Sequence, residues 1–115
     1  MLKETFDKRN KLLTPGEFKF VFQDPKRVLK TNTFTVYQKK NTLSVARLGI
    51  AFSKRFVARA TDRNYLRRQV REYFRKQKQV FAETDLVFVV KRKLSDRLVM
   101  KQAITELWAK LSNTP

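Results

Sequence analysis

The run Leu86-Val87-Phe88-Val89-Val90 is continuously apolar and is fenced by Thr84-Asp85 before it and by Lys91-Arg92-Lys93 after it. So short a run, rich in β-branched residues, reads as a central strand buried on both faces. Two other stretches alternate instead. Residues 33–39 place Phe34, Val36 and Gln38 on one side and Thr35, Tyr37 and Lys39 on the other. Residues 47–54 turn Leu48, Ile50 and Phe52 inward and leave an outward row of Arg47, Gly49, Ala51 and Ser53, small enough for close approach of something large.

Helical spacing fills the intervals. Thr14-Pro15-Gly16-Glu17 has the form of a capping box with proline at the first helical position, and the helix it opens should stop near Asp24-Pro25. From Ala60 a second helix carries Leu66, Val70, Tyr73 and Phe74 on one arc, with Thr61 or Asp62 expected as its N-cap. Ser95-Asp96 caps a third, whose stripe of Val99, Met100, Ala103, Ile104, Leu107, Trp108 and Leu111 reads as core. The order helix, two or three strands, helix, strand, helix implies an α+β fold, a small sandwich of one sheet covered by helices.

The second helix carries the most unusual pattern in the chain. Arg63, Arg67, Arg71 and Arg75 recur at every fourth position, with Asn64 and Arg68 beside them. Like charges at that spacing repel by a few tenths of a kcal/mol per pair. A solvated basic face usually offsets this with interspersed acids, and here only Glu72 is close by. The ridge therefore points to a polyanionic partner.

Composition agrees. Twenty-seven Lys and Arg against ten Asp and Glu give 115 residues a net charge of +17, self-repelling unless phosphates or counterions screen it. The length suits one domain, residues 1–115, with the polar and basic residues 1–12 as a loose arm of the kind that orders on RNA. No stretch is long and apolar enough to span a bilayer and the N-terminus lacks the apolar core of a signal peptide, so the expectation is cytoplasmic, with no membrane partner. Absence of cysteine and histidine removes disulfides, thiolate sites and the commonest general base.

Aromatic residues supply the remaining candidate chemistry. Phe18 and Phe22 stand at i,i+4 on the first helix while Phe20 points elsewhere, so one core contact cannot bury all three. Core packing is the default for any single ring. A paired phenylalanine face, with Tyr37 flanked by basic residues on a strand, also suits stacking on unpaired bases.

In this order, LLTPGEFKFVF, RLGIAFSKR and RNYLRRQVREYFR resemble the protein component of bacterial ribonuclease P, over nearly the whole chain. The last segment is similar to the family's signature, an Arg-Asn pair followed by two basic residues and a further arginine. The resemblance implies a small, mostly antiparallel sheet of about four strands with three helices and a left-handed βαβ crossover, against the usual right-handed rule. It implies a subunit that binds the catalytic RNA and the 5′ leader of precursor tRNA, one protein per RNA. Cleavage would be done by that RNA with Mg²⁺ that it mainly holds itself, so no catalytic residue and no metal ligand is assigned to the protein. Ser53, Lys54, Arg55, Arg59, Arg63, Asn64, Arg67, Arg68 and Arg71 are the implied contacts to RNA, and Phe18, Phe22 and Tyr37 those to the leader. Arg67 stands where the family usually has lysine, and Tyr65 where it often has a basic residue.

Two other classes compete. A ribosomal or other structural RNA-binding protein would explain the ridge but not the paired phenylalanines. A self-sufficient metal-dependent nuclease would need clustered acids, for which Glu83 and Asp85 are the candidates, with Glu17 or Asp62 brought closer by folding; two acids before a buried strand read more simply as a solvated turn.

Overall fold

A computed structural model describes residues 15–43, 45–77, 83–94 and 96–112. Its elements are α1 (Pro15–Gln23), β1 (Arg27–Lys30), β2 (Phe34–Lys40), β3 (Arg47–Ala51), α2 (Ala60–Lys76), β4 (Thr84–Val90) and α3 (Arg97–Ser112). The strands form one sheet in the order β1-β2-β4-β3. β1 with β2 and β2 with β4 are antiparallel, and β3 with β4 is parallel because α2 carries the chain from the end of one to the start of the other. The α+β class and the three helices are as the sequence implies; the sheet is mixed.

Register sorts the side chains into two layers. One face presents Leu29, Phe34, Val36, Leu48, Leu86, Phe88 and Val90, all buried, and α2 and α3 pack on it through Leu66, Val70, Phe74, Met100, Ile104 and Leu107. Each large apolar side chain so buried contributes about 1.5–3 kcal/mol. The other face is covered more lightly by the nine residues of α1, with Val21 on Val87 and with Phe18, Tyr37 and Val89 around them. Both faces of β4 are therefore covered, which is why its sequence does not alternate.

Within the helical layer, Tyr73 stacks on Trp108 with centroids 4.2 Å apart, and Lys110 donates to the Lys30 carbonyl, tying the last turn of α3 to β1. Asp96 Oδ1 accepts from the Leu98 and Val99 amides, as expected of an N-cap. Val99 is a correction: it is exposed, as is Leu98, so the apolar stripe of α3 begins in the core only at Met100. β1 has no clear sequence pattern because RVLK buries only Leu29. Thr14, the arm at residues 1–12 and Ser95 lie outside the described residues.

Candidate nucleic-acid interface

The helix that carries the arginines does not begin as its sequence suggests. Arg59 is the N-cap of α2, extended at φ −85° and ψ 134° and without a side-chain cap bond, so neither Thr61 nor Asp62 has that role. Asp62 instead turns inward and is nearly inaccessible at 2% exposure. Its Oδ2 accepts from Arg59 Nε at 2.9 Å and its Oδ1 from Arg97 Nη2 at 2.9 Å. The bond from Arg97, seconded by that from Arg59, outweighs desolvation and holds this carboxyl below the ordinary carboxylate pKa. Arg97 also lies over the Tyr65 ring, 4.1 Å from its centroid. A guanidinium from α3 thus covers the ring that interrupts the basic signature.

Asp62, Leu66, Val70 and Phe74 form the buried seam of α2. Tyr65 and Tyr73 flank it on the side of α3, whereas Arg63, Arg67 and Arg71 flank it on the opposite side. Asn64, Arg68 and Arg71 are exposed and Arg67 is half-buried, 3.5 Å from Asn64 Oδ1. Arg63 differs from its neighbours: its Nη1 donates to the carbonyls of Val57 and Ala58, both at 2.8 Å, and so braces the chain entering the helix. Arg75 is engaged by Glu72 at 3.0 Å.

Ser53, Lys54 and Arg55 are all exposed in the turn after β3. The Ser53 carbonyl accepts from the Val57 amide at 3.0 Å and the Phe56 carbonyl from the Leu94 amide at 2.7 Å, which fixes this turn to the segment after β4. Arg59 follows it with a side chain 66% exposed despite its bond to Asp62. Backbone connection thus places the nine RNA-contact candidates along one path, from the end of β3 into the arginine flank of α2.

The aromatic candidates lie in the other layer. Phe18 and Phe22 are 6.4 Å apart by centroid, and Phe22 meets Tyr37 edge to face at 5.0 Å and 82°. Phe18 and Tyr37 are half-buried, while Phe22 stays 42% exposed. Phe20, to which the sequence pattern gives no role, is covered by Lys39, whose Nζ stands 4.0 Å from the ring centroid and donates to the Phe20 carbonyl at 3.0 Å. The signal was present: Lys39 shares a face with Tyr37 two residues earlier.

Of the acids that could serve a nuclease, Asp85, Glu17 and Asp62 are engaged by arginines, while Glu83 is exposed. Asp85 is no solvated turn: it is fully buried, takes two bonds from Arg47 (Nε at 2.8 Å, Nη2 at 2.6 Å) and a third from Asn41 Nδ2 at 2.7 Å. Folding does bring Glu17 close, but onto Arg47 Nη1 at 2.6 Å. These bonds, that to Asp85 foremost, raise the Arg47 pKa further above its ordinary value. Among the described residues no three of Asp, Glu, His and Cys gather where they could hold a metal ion. Nor, among them, is any helix long and apolar enough to cross a membrane.

The family model described as Ribonuclease P matches residues 6–112. The chain belongs to the ribonuclease P protein family. The ribonuclease P protein component of Pectobacterium atrosepticum is 36% identical over 110 residues, covering 94% of this chain and 92% of the relative. That of Histophilus somni is 38% identical over the same length and shares. The solved RNase P protein of Thermotoga maritima, in complex with 1-(4-fluorophenyl)-2-thiourea, is 32% identical with a TM-score of 0.69, covering 86% of this chain and 94% of that one. A Staphylococcus aureus RNase P protein mutant is alike in fold, with a TM-score of 0.74 at 22% identity over 91% of this chain and 87% of that one. Membership makes this chain a subunit of ribonuclease P, in keeping with a role in tRNA 5′ processing.

Proposed function

We propose that this chain binds the catalytic RNA of ribonuclease P and the 5′ leader of precursor tRNA, while the RNA, with its own Mg²⁺, removes the leader. The α2 flank bearing Arg67, Arg68 and Arg71, with Arg63 and Asn64, grips folded RNA together with Ser53, Lys54, Arg55 and Arg59. Guanidinium forks suit bidentate contact with phosphate, and Asn64 offers both a donor and an acceptor. Phe18, Phe22 and Tyr37 receive the single-stranded leader by stacking, which accepts any base. The protein and the RNA subunit associate one to one.

One observation carries this reading. Asp62, Asp85 and Glu17, buried or half-buried, form ion pairs with Arg97, Arg59 and Arg47, and Glu72 with Arg75 at the end of the row, while Asn64, Arg68 and Arg71 stand exposed on the flank of α2. The test is reconstitution. With ribonuclease P RNA at low Mg²⁺ the chain restores leader removal, and without RNA it leaves precursor tRNA intact. Cleavage at the mature 5′ end by protein alone would overturn the assignment of chemistry to RNA.

A further inference from the structure

At the end of the sheet opposite the Ser53–Arg59 turn, a groove of about 460 Å³ is lined by Lys26, Arg27, Gln38, Lys39, Lys40, Glu83 and Thr84. Four cationic side chains meet there against one carboxylate. The ladder from Lys40↔Thr84 to Phe34↔Val90 spans six residue steps, so about 20 Å of strand separates this groove from the place where the chain leaves β3 for α2. It is a second basic surface, separate from the arginine flank.

Its position gives it a connection to the aromatic layer. Lys39 lines the groove and also lies over Phe20, so it joins the groove to the last turns of α1. Tyr37 and Lys39 point from the same face of β2, two residues or about 7 Å apart, and Tyr37 is the ring that Phe22 meets. A single strand with a base on Phe22 and Tyr37, running toward the end of β2, brings its next phosphates over Lys39 and then toward Lys26 and Lys40. Both of the latter are exposed. Glu83 holds the floor in shape: it has a left-handed backbone, φ 60°, and its carbonyl accepts from the Asn41 amide at 2.8 Å, closing the β2–β4 ladder.

We propose that this groove is a phosphate-binding subsite for single-stranded RNA, receiving the backbone of the leader distal to the nucleotides that stack on Phe22 and Tyr37. The proposal rests on the leader reading of the aromatic face. The competing explanation is that lysines at strand ends only guard a sheet edge and bind nothing.

The experiment compares wild type with K26A/K40A, two exposed truncations, each reconstituted with ribonuclease P RNA and given leaderless tRNA or precursors of increasing leader length. Wild-type affinity should rise with leader length beyond the stacked nucleotides, and K26A/K40A should lose that later gain alone. For the longest leader, its log–log salt slope should be shallower by roughly 1.4, at about 0.7 for each single-strand phosphate engaged. Equal gain with length in both proteins would overturn the subsite while leaving the stacking face intact. Equal weakening on leaderless and long-leader RNA would also overturn it, giving these lysines to the catalytic RNA. No gain with leader length in wild type would remove the leader reading itself and this proposal with it.

Discussion

Phe22 and Tyr37 meet edge to face, their ring centroids 5.0 Å apart and their planes at 82°. The pair bridges α1 and β2, so it fixes where the helix sits while leaving Phe22 partly open. Such pairs contribute about 0.5–1.5 kcal/mol beyond buried area, too little to need an exposed ring for stability alone. Phe22→Ala should therefore cost little in unfolding free energy but about 1–3 kcal/mol in leader affinity. The comparison of precursor with leaderless tRNA isolates that loss; equal loss on both would remove Phe22 from the leader site.

Arg47 carries a heavier structural role than any arginine of α2. It is the bidentate partner of Asp85, whose side chain has no solvent exposure. Arg47→Ala leaves that carboxylate with Asn41 alone, and urea unfolding should register a loss of about 3–5 kcal/mol. Glu17→Gln should cost at most about 1 kcal/mol, since Glu17 is 28% exposed and screened by water. Comparable losses for the two variants would show that Asp85 does not depend on Arg47.

Asp62 predicts a pH dependence. Its folded pKa is lowered, so its contribution to stability is complete above the ordinary carboxylate pKa of about 3.9 and is lost as pH falls through the folded value. Asp62→Asn should accordingly unfold at lower urea than wild type at pH 7, with the gap narrowing below about pH 4. A gap independent of pH would mean that shape, not charge, is what Asp62 contributes.

Much of the fold was legible because local periodicity and tertiary burial agree. In α2 the seam of Leu66, Val70 and Phe74 and the arginine row obey the same helical period, and in β4 an unbroken apolar run matches burial on both faces. The α1 boundaries followed from Pro15 and from Asp24-Pro25. What was not legible depends on partners distant in sequence. Asp85 looked solvated because its arginine lies 38 positions earlier, and Asp62 resembled a cap because Arg97 lies 35 positions later. Arg63 looked like its neighbours until the carbonyls of Val57 and Ala58 folded back onto it. Helical and aromatic spacing marked Arg63, Asn64, Arg67, Arg68, Arg71, Phe18, Phe22 and Tyr37, and the resemblance added Ser53, Lys54, Arg55 and Arg59; the structure adds that the α2 arginines and the aromatic candidates lie in opposite layers of the sheet.

The central claim, that the arginine flank of α2 is the surface that grips ribonuclease P RNA, is tested most directly by the salt dependence of affinity for that RNA. Arg67→Ala with Arg71→Ala should bind more weakly and reduce the magnitude of the log–log slope by about one unit for each phosphate no longer gripped. An unchanged slope with unchanged affinity, in a variant as stable as wild type, would contradict it.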